Sequence, residues 1–167
     1  MAKLIIDIET VGENFEEMDD VSKDVLTHWI KSTSKSEEEY AGALSEVKEG
    51  LGLSPLTGEI VAIGVLDYER DQGVVYYQSP DIKAVETKEG NFKFKPMMES
   101  EMLESFWQGL QSYDEIITFN GRGFDIPYII ARSAKWQVEV TKDLMSNRYI
   151  DSQKYGVKHI DLFDQLS

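Results

Sequence analysis

Two carboxylates, Asp7 and Glu9, close the apolar run Leu4-Ile5-Ile6 within the tetrapeptide Asp7-Ile8-Glu9-Thr10. Side chains two apart on a β-strand face the same way, so both acids can address one point in space. Ionised carboxylates a few ångströms apart in a low dielectric repel each other, and a divalent cation removes that cost; Mg²⁺ or Mn²⁺ suits such hard oxygen donors. Metal-ion chemistry is the first expectation. The competing reading ends the strand at Ile8 and leaves Glu9 in solvent, where most acids lie. A second cluster, Asn120-Gly121-Arg122-Gly123-Phe124-Asp125, follows the β-branched and aromatic run Glu115-Ile116-Ile117-Thr118-Phe119. Its glycines force a turn, and Asp125 is a third candidate carboxylate.

These residues need elements that bring them together. Lys3 to Glu9 reads as a first strand. Val21, Val25, Leu26, Trp29 and Ile30 recur at helical spacing, and Ser36 with Glu39 makes a capping box ahead of Tyr40, Leu44, Val47 and Leu51. Residues 11–55 are thus expected to form an acidic, two-helix insertion. Pro55 and Gly58 end it, after which Glu59 to Leu66 and Val74 to Tyr77 read as a hairpin across Asp71-Gln72-Gly73. Lys83 to Lys95 reads as a further small hairpin about Gly90-Asn91 or as a long loop. Ser100 is placed to cap a helix carrying Leu103, Phe106, Trp107 and Leu110. The fourth strand, Glu115 to Asn120, leads to a helix from Asp125 with Pro127 in its first turn, and His159 to Phe163 suggests a fifth.

Right-handed crossovers would set the fourth strand beside the first and parallel to it. The turn at Asn120 then meets the end of strand one, and in open α/β sheets sites collect outside the carboxyl ends of strands. The expected fold is α/β, a mixed five-stranded sheet flanked by helices, as a single domain over 1–167. A chain of 167 residues suffices for that, since one of this size buries roughly 70% of its extended surface. With no cysteine, no leader pattern and no long apolar run, an intracellular, cytoplasmic protein without a membrane span is expected. The net charge of −14 argues against a protein that coats nucleic acid. Half of it is local, however: residues 11–50 hold eleven acids and four bases, whereas residues 120–167 hold seven bases and six acids. A protein gripping only a strand end needs no long basic stripe.

The DIET of Asp7 to Thr10, joined to the FNGRGFDIPYI of Phe119 to Ile130, resembles the first two motifs of the DEDD superfamily of ribonuclease H-like 3′-to-5′ exonucleases. The nearest likeness is to exonucleases of the family B DNA polymerase proofreading type; Gly58 to Gly64 and His159 to Leu162 also look like that group. The resemblance implies a ribonuclease H-like fold and two-metal hydrolysis of phosphodiester bonds at the 3′ end of single-stranded nucleic acid, DNA rather than RNA. Asp7, Glu9 and Asp125 would hold two Mg²⁺ or Mn²⁺ ions and be catalytic; Thr10, Asn120 and Phe124 would contact the strand. Core packing competes for Phe124, and turn formation for Asn120.

Such enzymes carry a third motif after strand five, a Tyr or His four or five residues before a fourth acid. Neither Tyr149 nor Tyr155 has that spacing; His159 and Asp164 do, but Ile160, Leu162 and Phe163 between them read as the last strand rather than as the motif helix, with Asp161 beside the cleft mouth as a supporting group. The motif is therefore expected to be missing and catalysis impaired. The alternative is an inactive ribonuclease H-like module that binds a nucleic-acid end or a protein.

Overall fold

The computed structural model describes residues 2–81, 83–153 and 156–166. The chain folds as two compact units, Met1–Glu9 with Ile60–Ser167, and Thr10–Glu59. Among the described residues, seven strands form one sheet: β1 (Lys3–Gly12), β2 (Gly58–Asp67), β3 (Gln72–Tyr77), β4 (Thr87–Glu89), β5 (Phe92–Pro96), β6 (Glu115–Thr118) and β7 (Lys158–Asp161). Their order is β4-β5-β3-β2-β1-β6-β7. The helices are α1 (Asp20–Thr33), α2 (Glu37–Gly50), α3 (Glu99–Leu110), α4 (Asp125–Trp136) and α5 (Leu162–Leu166). Among the described residues no helix is long and apolar enough to cross a membrane.

In the larger unit, β6 lies parallel to β1, with Lys3 opposite Glu115 and Ile5 opposite Ile117, as the crossover argument requires. β7 continues the parallel half, and β2 with β3 forms the hairpin. The sheet has seven strands rather than five because Gly90-Asn91 does turn a hairpin, β4–β5, whose second strand adds parallel to β3. Leu4, Ile6, Ile8, Ile60, Ile63 and Ile116 of the sheet share one core with Met102, Phe106 and Trp107 of α3 and Ile126 and Ile129 of α4. Trp107 is buried without losing its N–H, which donates to Ser133 Oγ at 2.9 Å.

Several element ends differ from expectation: β1 runs on to Gly12 rather than ending at Glu9, and β6 stops at Thr118 rather than Asn120. The N-cap of α3 is Met98, not Ser100, and the Met98 N–H is taken by Glu101 Oε2 at 2.8 Å. Starting there puts Glu99 in the first turn, where it meets α4. Its carboxylate accepts Arg132 Nε at 2.7 Å, Arg132 Nη2 at 2.6 Å, Trp136 Nε1 at 2.5 Å and the Ile60 N–H at 2.8 Å. The last strand ends at Asp161, and Leu162 and Phe163 begin α5 because Asp161 accepts the Phe163 N–H at 3.0 Å.

In the smaller unit, Asp19 caps α1 through the N–H groups of Val21 and Ser22, and Ser36 caps α2 through that of Glu39 at 3.2 Å. Glu39 reciprocates one residue early, accepting from the Lys35 N–H at 2.7 Å. The buried face of α1 is Thr27 and Ile30, while Val21, Val25 and Trp29, read from sequence as its apolar stripe, are exposed.

Candidate active site

Within the larger unit, β1 pairs with β6 from Lys3 to Ile5, so Asp7 and Glu9 follow the paired stretch, past the level at which β6 ends at Thr118. Asp7 and Glu9 alternate with buried Ile6 and Ile8 along β1, and both acids are exposed. Asp125 opens α4 and is 4% exposed, with Oδ1 accepting the Ile8 N–H at 3.1 Å. That bond joins the second motif to the first. Burial pushes the Asp125 carboxyl above the usual carboxylate range; its own N–H and that of Ile8 pull it back, and the negative charges of Asp7 and Asp161 raise it further.

The turn before Asp125 is tightly specified. Asn120 is left-handed at φ 57°, and its carbonyl accepts the N–H groups of Gly123 and Phe124, both at 3.0 Å. A Cβ at Gly121 would sit 2.4 Å from the Thr118 side chain, and one at Gly123 would sit 2.6 Å from Asn120 Oδ1. Close approach to the Thr118 Cβ demands the first glycine, while at the second a side chain would displace the Asn120 amide. Phe124 is half-buried, its ring 5.4 Å from that of Tyr128.

Asp161 organises the turn from β7. It is 3% exposed and accepts the Asn120 N–H at 2.8 Å, the Arg122 N–H at 2.9 Å and the Phe163 N–H. Its oxygens are therefore committed to holding backbone. A consequence missed in the sequence is an aromatic pair: Phe119 and Phe163, 64% and 49% exposed, meet edge to face at 5.9 Å, each beside an N–H that Asp161 fixes.

His159 is buried. Its Nδ1–H donates to the Leu144 carbonyl at 3.0 Å, so Nε2 accepts the Thr118 hydroxyl at 2.8 Å. Burial holds its pKa below the ordinary value. Asp164 pairs with Arg148 at 2.5 Å, Tyr149 is exposed, and Tyr155 lies outside the described residues. Thr10 belongs to the smaller unit, where its hydroxyl donates to the Gly52 carbonyl at 2.8 Å.

Among the described residues, no three acidic or histidine side chains converge as a complete metal cage. Asp7 and Asp125 nevertheless have the donor chemistry a hard cation takes: Asp125 is buried, fixed by backbone and opposed by the charge of Asp7, and Asp7 is exposed.

Residues 56–167 match the family described as predicted 3′-5′ exonucleases related to the exonuclease domain of PolB. DNA polymerase 1 of Sulfurisphaera ohwakuensis is 23% identical over 172 aligned positions, which take in 94% of this chain but 19% of that protein. The chain spans about a fifth of that relative's length. A ribonuclease H-like sheet in which Ile8 of the DIET segment bonds Asp125 of the FNGRGFD segment, together with a match over most of its length, places this chain in the family of PolB-related 3′-5′ exonucleases.

Proposed function

We propose that the chain is a metal-dependent 3′-to-5′ exonuclease acting on single-stranded nucleic acid, DNA in preference to RNA. The reading is carried by Asp125, a buried carboxylate joined to β1 by the Ile8 N–H and opposed by the charge of Asp7. A carboxylate kept in such a place is costly to the fold unless a cation shares it. Asp7 and Asp125 would hold Mg²⁺ or Mn²⁺, with Glu9, on the same side of β1 as Asp7, as the further ligand. When bound, the ions supply an acidic water and stabilise charge on the phosphoryl and leaving oxygens.

The protein's own part is positioning. Asn120, rigid in its left-handed turn, orients the strand, and the ring of Phe124 or the exposed ring of Phe119 offers a face to a terminal base. Hydrolysis then releases one nucleotide at a time from the 3′ end, with no protein nucleophile.

A 5′-labelled single-stranded oligonucleotide incubated with Mg²⁺, Mn²⁺ or EDTA tests this. The expected product is a ladder shortening from the 3′ end, absent in EDTA. Asp7→Ala and Asp125→Ala should each slow it by roughly 10³-fold, the loss of about 4 kcal/mol of transition-state stabilisation. Internal cuts, or a full rate in Asp7→Ala, would sink the assignment.

A further inference from the structure

The sheet edge formed by β4 and β5 carries a concentration of positive charge that the exonuclease reading does not use. Lys93 and Lys95 share one face of β5; Lys93 lies opposite Lys88 on β4 and beside Val74 on β3, and Lys95 lies beside Tyr76. On that face Val74 and Tyr76 line a cavity of about 190 Å³ under Phe106 and Leu110 of α3. It adjoins a second cavity of about 260 Å³, lined by Arg70, Lys88, Asn91, Lys93, Lys95 and Tyr113 together with Asp67.

Four cations therefore face one acid in a chain of net charge −14. Asp67 is already committed: it accepts the Arg70 N–H at 2.9 Å and the Tyr113 hydroxyl at 3.0 Å, with the Arg70 guanidinium at 3.4 Å. Lys95 pairs with Glu86 at 3.5 Å. Among the described residues Lys88 and Lys93 have no carboxylate within ion-pair distance, although they are cross-strand neighbours whose like charges oppose the pairing. Lysines commonly guard sheet edges. That explains neither the hollow nor Arg70, which reaches it from the turn between β2 and β3.

We infer that this cavity binds phosphate groups, at a site separate from the candidate carboxylates. It opens beside Asp67, at the end of β2 that meets Lys3 through the Tyr68 N–H. Lys3 and Asp7 are four residues apart along β1, roughly 13 Å at about 3.3 Å per residue. The phosphate comes either on a nucleic-acid strand or on a free nucleotide, and the same four cations serve both.

Binding of a fluorescein-labelled oligothymidylate is followed by anisotropy on the full chain in EDTA, so that cleavage plays no part. Lys93→Gln and Lys88→Gln/Lys93→Gln are compared with wild type and with Lys135→Gln, on α4, as control. The double variant should bind about tenfold more weakly, with the slope of log K against log salt shallower by about 1.4, roughly 0.7 for each lost single-strand phosphate contact. The control should match wild type. Competition by pyrophosphate or thymidine monophosphate assigns the site to free nucleotides, and competition by unlabelled oligonucleotide alone assigns it to a strand. Both variants should melt no lower than wild type, because a repulsion is removed. Wild-type affinity in the double variant, no binding of either phosphate ligand, or an equal loss against labelled polyglutamate overturns the inference. Cleavage by wild type and Asp125→Ala is scored separately, so the failure of one reading leaves the other intact.

Discussion

Asp125 and Asp161 are both buried acids at the same end of the sheet, yet their hydrogen bonds give them opposite parts. Asp161 accepts three backbone N–H groups and anchors the Asn120 turn, whereas Asp125 is pushed up by burial and by the charges of Asp7 and Asp161. Asp125→Asn keeps an oxygen for the Ile8 N–H and removes the opposed charge, so without divalent metal it should melt higher than wild type at neutral pH. The sign follows from the raised pKa: the native state keeps a proton that the unfolded chain has lost, so stability falls as pH rises through that window. Asp161→Asn should melt lower than wild type, for a reason of hydrogen bonding alone. An amide cannot accept on both sides, and one N–H left facing another should cost about 1–3 kcal/mol. Thermal melts of both variants in EDTA decide the point. In sequence the two aspartates were separable only by strand position; nothing in residue type shows which carboxylate has backbone donors aimed at it. His159 is the converse case. Its spacing to Asp164 imitates a catalytic motif, while its ring nitrogens are both used inside the core.

Elements with a strong period, β1, β2, β6, α3 and α4, were readable because alternating or helical burial writes itself into residue type. The 137–153 stretch was not, because side chains reaching backbone hold it. Lys142 Nζ donates to the carbonyls of Leu110, Gln111 and Tyr113 at the end of α3. Gln153 pairs with both backbone groups of His159, standing in for a neighbouring strand at the edge of β7. The clamp between α3 and α4 was equally hidden, since it rests on which residue starts α3. Burial raises the Glu99 carboxyl, and the Arg132, Ile60 and Trp136 donors outweigh it and hold the pKa below the ordinary value. Glu99→Gln takes the charge out of the bonds to Arg132 and Trp136, and should cost about 1–3 kcal/mol in urea unfolding. Glu99→Gln with Arg132→Met should recover part of that loss, because neither charge is then buried and the amide oxygen still accepts the Ile60 N–H. If the double variant is no better than the single one, the network contributes more than mutual charge compensation.

At the scale of the whole molecule, two electrostatic effects must be told apart. A net charge of −14 destabilises any compact state by self-repulsion, and salt relieves it without a specific site. The Asp7–Asp125 pair predicts something further, a cation that binds the native state and not the unfolded chain. Such binding stabilises by RT ln(1 + [L]/Kd), about 2.7 kcal/mol at a hundredfold excess over Kd, which for a chain of this size raises Tm by roughly 5–10 °C. Melting temperatures are compared in NaCl and in Mg²⁺ or Mn²⁺ at matched ionic strength. Wild type should gain the extra rise only with the divalent ions, while Asp125→Asn, which starts higher in EDTA, should gain from salt alone. A divalent effect no larger than that of NaCl, or one that survives in Asp125→Asn, would mean that the acidic 11–50 stretch and not the strand ends attracts the ions. The exonuclease reading would then lose its physical support even where the family membership stands.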